Sequence, residues 1–204
     1  MLGIKLLGKE IKYRLIYAIL AGIAFLVGFL LNKRAINNTI EFLYVALAMF
    51  IGTIIFGENE TELLASGRLQ IEQIYVIRFF ASYLCITVLP VLTIVFLRTA
   101  KNQLKAVVAF LVLVLLFAAV GAFFRALLGK TLPSIIVSLL VFSILIIALP
   151  EGYYSPFNSL ALADNRIFWI NRAGVLLLSA ILIVATFFVF KYKNIVYRKT
   201  KKTK

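Results

Sequence analysis

Six apolar runs, at about 15–31, 40–56, 74–97, 106–124, 132–149 and 173–190, make up nearly the whole chain, with short polar joints between them. Each is close to the roughly 17 to 25 residues a helix needs to cross a bilayer. None is short enough to be a core strand of a soluble domain. A hydrophobic content of 63% and a mean hydropathy of +1.05 leave too little polar surface to cover a water-soluble globule of 204 residues. The expected fold is an all-α polytopic membrane protein with six transmembrane helices.

Charge then sets the expected orientation. Six spans put both termini on one side. Lys and Arg there number 15, against 7 on the other side: Lys33, Arg34, Arg98, Lys101, Lys105, Arg166 and Arg172. The positive-inside rule places both termini in the cytoplasm. Because the cations cluster at span ends, they report topology rather than nucleic-acid binding. The tail 191–204, with seven of them, reads as a basic stop signal facing anionic lipid. The run 15–31 is too long for a signal-peptide core and meets Asn32, Lys33 and Arg34 instead of a small-residue cleavage site. The use of Lys, Ile and Asn suggests a bacterial source, hence a bacterial cytoplasmic membrane.

Enzymatic chemistry finds little material. Without any histidine, the commonest general base and transition-metal ligand are missing. Cys85, the only cysteine, reads as a small apolar residue within the third span. Gly129-Lys130-Thr131 looks like the end of a phosphate-binding loop, yet Phe124 stands where the loop's first glycine belongs. Arg125 and Lys130 read instead as cations anchoring span ends, with Pro133 in the first turn of the next helix. Arg78 is expected to reach the cytoplasmic interface from one turn inside the third span. No acidic or amide cluster lies near a span centre, which counts against ion-coupled transport.

The joints carry more information. In residues 1–14, Ile4, Leu7, Ile11 and Leu15 recur at helical spacing opposite Lys5, Lys9 and Lys12, the pattern of an interfacial amphipathic helix that anchors in lipid head groups. Between the second and third spans, Glu58, Glu60, Glu62 and Glu72 depart from the basic trend of their side. Leu63, Leu64, Ile71 and Ile74 recur near helical spacing, predicting a short amphipathic helix broken near Ser66-Gly67. These glutamates lack the partners a metal site needs. The outer joint 150–172 holds Tyr153, Tyr154, Phe157, Phe168 and Trp169, an aromatic interface layer. Leu160, Leu162 and Ala163 there fit either a short helix lying back on the bilayer or a plain loop. Small residues at Ala18 and Gly22, and at Ala118, Ala119 and Ala122, would let helices approach closely.

This organisation resembles the membrane subunits of type-2 ATP-binding-cassette (ABC) exporters over the whole chain. In that family the joint after the second span reads as acids, a leucine pair, a small turn and a basic residue. Glu58-Asn59-Glu60-Thr61-Glu62-Leu63-Leu64, Ser66-Gly67-Arg68 and Arg78 look like those parts, although the usual Gly-Thr and the proline of the turn are missing. Asn171-Arg172 after Trp169 is also similar to many members. The resemblance implies a cytoplasmic coupling helix at Glu60, Glu62, Leu63, Leu64, Gly67, Arg68 and Ile71, seated on a separate ABC ATPase subunit that binds ATP and Mg. It also implies a second permease chain, identical or different, and no catalysis or cofactor on this chain. An apolar, aromatic cavity would suit a hydrophobic peptide, lipid-linked molecule or drug. Two other classes are the substrate-capturing subunit of a vitamin importer, which would hold a small ligand alone, and a regulatory membrane protein or membrane enzyme, active without ATP.

Overall fold

The computed structural model describes residues 19, 23, 47–53, 71–96, 103–148 and 165–202. Among them there is no strand. Four helices follow in order: α1 (Ile71–Phe96), α2 (Gln103–Leu128), α3 (Thr131–Ala148) and α4 (Asn165–Lys202), with residues 47–53 also helical. This is what a run without water dictates, because only a helix satisfies every backbone N–H and C=O within its own segment. Three stretches, Ile74–Phe96, Gln103–Leu128 and Asn165–Tyr192, are long and apolar enough to cross a membrane, while Thr131–Ile144 is a shorter apolar helix. Most of the expected first two spans, and all of the interfacial helix with Lys5, Lys9 and Lys12, lie outside the described residues.

Neighbouring side chains fix how the helices run. The Gln103 side-chain amide donates to the Val95 carbonyl at 3.5 Å, so α2 starts where α1 ends. Residues 129 and 130 alone join α2 to α3 and force them antiparallel. Tyr75, in the second turn of α1, has its ring 5.7 Å from that of Phe190 on α4, while Lys105 near the start of α2 lies over Phe168 near the start of α4. Thus α4 runs parallel to α2 and antiparallel to α1, the alternation that successive membrane crossings require.

The centre is α2. Phe117 is completely buried and meets Phe142 of α3 edge-on at 5.4 Å. Of the small residues Ala118, Ala119 and Ala122 that the sequence offered for close approach, Ala118 and Ala122 flank the crossing, where Gly121, which the sequence reading did not single out, meets the segment 47–53. A methyl group added to Gly121 would collide with the Met49 carbonyl, and one added to Gly52 would collide with that of Ala118. Backbone therefore touches backbone, with Ala48, Met49 and Ile51 buried around the crossing. Tyr83 ties α1 to α2 by donating its hydroxyl proton to the Leu111 carbonyl at 3.0 Å. Other hydroxyls turn back on their own helix: Thr87 donates to the Tyr83 carbonyl, Ser179 to Val175 and Thr186 to Leu182, at 2.8, 2.8 and 2.6 Å.

Two boundaries differ from the hydropathy reading. Helix α4 begins at Asn165, so residues 165–172, expected in the outer joint, are its first two turns. It also continues through Lys202, so most of the expected tail is helical. Lys and Arg are good helix formers, and cations near a helix C-terminus interact favourably with its dipole. At 38 residues and 1.5 Å per residue, α4 is about 57 Å long, nearly twice the hydrocarbon thickness.

Candidate functional site

The expected coupling residues Glu60, Glu62, Leu63, Leu64, Gly67 and Arg68 lie outside the described residues. Ile71 is the first residue of α1. One turn further, Ile74 and Tyr75 are buried, and the Tyr75 ring lies between those of Phe79 at 5.9 Å and Phe190 at 5.7 Å. The second turn of α1 is thereby packed onto α4 at Phe190, twelve residues before that helix ends.

Of the expected anchoring cations, Arg78 is half-buried and in the eighth position of α1, with the Ser82 hydroxyl donating to its carbonyl at 2.7 Å. Lys130 is exposed in the α2–α3 turn. Arg125 departs from the expectation of a cation reaching outward from a span end. Helix α2 runs four residues past the expected boundary, so Arg125 lies inside its last turn, 8% exposed, and donates through Nη1 to the Gly129 carbonyl. Gly129 has φ +74°, and its N–H returns to the Arg125 carbonyl at 3.0 Å, the left-handed stop that glycine permits at a helix end. The Ser134 hydroxyl closes the Phe124 carbonyl at 3.3 Å. Gly129-Lys130 is therefore a helix stop whose open groups are consumed locally, not a phosphate cradle.

At the opposite end of the bundle is a cluster that sequence reading missed. Phe168, expected in the aromatic interface layer, is completely buried, whereas its neighbour Trp169 remains exposed and meets it edge-on at 5.0 Å. Over the Phe168 ring stand the Lys105 Nζ at 5.3 Å and the Arg172 guanidinium carbon at 5.6 Å. Both cations are nearly enclosed, at 7% and 5% exposure, and Asn171 beside them is 8% exposed. A cation over a desolvated ring is stabilised by about 2 kcal/mol through the ring's negative face. Phe168 and Arg172 are one helical turn apart, so their proximity was legible as an i, i+4 pair. Lys105 was not, because it arrives from a different helix. Two positive side chains, an amide and an aromatic plate can bind an anion. Among the described residues no group of three His, Cys, Asp or Glu side chains is placed to hold a metal ion.

These helices fit a membrane-embedded, all-helical protein. At the level of the particular family, no family model, curated protein or solved structure matches the chain.

Proposed function

We propose that the protein is the membrane permease subunit of an ABC exporter, moving a hydrophobic or amphipathic substrate with energy from a separate ATPase. The reading rests on the resemblance of the acidic joint 57–73 and of the span organisation. The observation that carries it is the packing of Tyr75 between Phe79 and Phe190. A coupling element works only if differential contact with the states of an ATPase biases the spans. A joint that enters α1 four residues before a ring packed on α4 meets that requirement, since displacement at Ile71 must repack the aromatic contact. In this reading two permease chains and two ATPases form the working assembly, both termini are cytoplasmic, and this chain hydrolyses nothing.

The test is co-purification of the full chain with its ATPase from native membranes. Leu64→Asp combined with Gly67→Pro removes the apolar stripe and the turn of the joint. ATPase recovery should fall by about tenfold or more, the equivalent of 1.4 kcal/mol in association, while the helical content of the permease stays the same. Unchanged recovery, or a chain that retains a tight small ligand with no ATPase at all, would reject the exporter reading; the latter result is what an importer's capture subunit predicts.

A further inference from the structure

We infer that α1 is hinged at Pro90 and that its last section, residues 91–96, is a gate that swings away from the bundle toward the surrounding lipid. Proline has no N–H to donate, and its ring presses on the carbonyl four residues earlier. Here that carbonyl belongs to Ile86, and both Ile86 and Pro90 are almost wholly enclosed. Ile94, one turn further, is 9% exposed. Residues 86, 90 and 94 therefore form the stripe of α1 that faces the other helices, and the ring presses on the inner side. A helix relieves such a clash by bending away from the ring, which here sends residues 91–96 outward. The Thr87 hydroxyl adds to the bend, because it donates to the Tyr83 carbonyl at 2.8 Å and reaches that of Leu84 at 3.3 Å.

The packing divides at the same place. Before Pro90, Tyr75, Phe79 and Ile86 belong to the main core, and Tyr83 holds the Leu111 carbonyl of α2. Beyond it, Ile94 is the buried centre of a separate cluster with Leu47, Ala106, Val107 and Phe110, while Leu92, Val95 and Phe96 are exposed. Ile94 and the Gln103 amide, which donates to the Val95 carbonyl at 3.5 Å, are the contacts that hold the outer section closed. A bond of that length is at the weak limit. A helix end with one buried apolar anchor has the low local stability of a segment that opens by itself.

Leu47 and Phe110 pack on the main core as well as on Ile94. When the section swings, Ile94 leaves them, and a seam opens between α1, α2 and the segment 47–53. The gate thus gives apolar molecules in the bilayer a way toward the interior, while the body of α1 stays fixed by Tyr75, Phe79 and Tyr83.

The experiment uses the full chain in nanodiscs, with Cys85→Ala so that only introduced cysteines carry spin labels. One pair combines Val95→Cys, beyond the hinge, with Leu177→Cys on α4. The other combines Leu84→Cys, before the hinge, with the same α4 position; all three sites are exposed. Pulsed electron double resonance, on samples diluted with unlabelled protein, reads the distances. Ile94→Ala removes the buried anchor and should raise the longer-distance population of the Val95 pair by about tenfold or more, leaving the Leu84 pair at a single distance. Adding Pro90→Ala restores the helical donor and should return the Val95 pair to its shorter distance. No longer-distance population in Ile94→Ala, equal broadening of both pairs, or a longer population that survives Pro90→Ala would each overturn the proposal. None of these results bears on ATPase co-purification, so the hinge and the exporter reading can fail separately.

Discussion

The same substitution, glycine to alanine, should have opposite effects at two positions of this bundle. At Gly121 the new methyl would meet the carbonyl, carbonyl carbon and Cα of Met49, all backbone atoms that cannot rotate away. Restoring an ordinary contact requires the segment 47–53 and α2 to separate by about 1 Å, a gap that forfeits a quarter to a half of each dispersion contact across the crossing. Overpacking of this kind costs about 1 to 3 kcal/mol. The gain in helix propensity offsets at most about 1 kcal/mol, so Gly121→Ala should destabilise by about 1 to 2 kcal/mol. At Gly174 nothing among the described residues lies within 4 Å of the added methyl, and only the propensity gain remains. Gly174→Ala should therefore be neutral or stabilise by up to about 1 kcal/mol. Gly52→Ala attacks the same crossing from the other side. Once one methyl has spread the helices the second meets less resistance, so the double variant should cost less than the separate effects combined. Reversible unfolding in mixed micelles with increasing SDS gives all four free energies. If Gly121→Ala and Gly174→Ala shift stability in the same direction, the close crossing is wrong.

Two further substitutions probe the connections around α2. Tyr83→Phe removes the hydroxyl that bonds to the Leu111 carbonyl and should cost about 0.6 kcal/mol, the usual scale for an interhelical bond in a membrane, in the same SDS titration. Gly129→Ala places a methyl on a residue with φ +74° and should destabilise the α2–α3 turn by about 1 to 2 kcal/mol; Gly129→Asn should recover part of that loss, because Asn tolerates the left-handed region. Equal stability of the Ala and Asn variants would show that backbone conformation is not what holds the turn.

How much of this was legible follows from what each signal measures. Hydropathy detects contact with lipid, so it found the apolar bodies of α1, α2 and α4. It does not detect the backbone, so it excluded Asn165 to Arg172 and residues 191–202, where the helix continues with polar or charged side chains. The small face at Ala118 and Ala122 was visible as a local pattern. That it receives Gly52 and Met49 was not, because a close crossing belongs to two segments far apart in sequence. Arg125 was misplaced by a boundary error of one turn, which changed a cation expected at a span end into a buried donor closing its own helix. Phe168 was misplaced for a related reason: its neighbours Trp169 and Ile170 face outward, and only the rotation of α4 separates them from it. Lys105 joined the cluster through tertiary packing alone.

Helix α4 contains no proline from Asn165 to Lys202. It is therefore a stiff shaft with the buried Phe168 and Arg172 near its beginning and a sequence rich in Lys and Arg near its end. The 34 residues between Phe168 and Lys202 span about 51 Å, so a swing of 5° about the Phe168 end carries the far tip by roughly 4 Å. Whatever holds the basic tip has a long lever arm on the turn that carries Phe168 and Arg172.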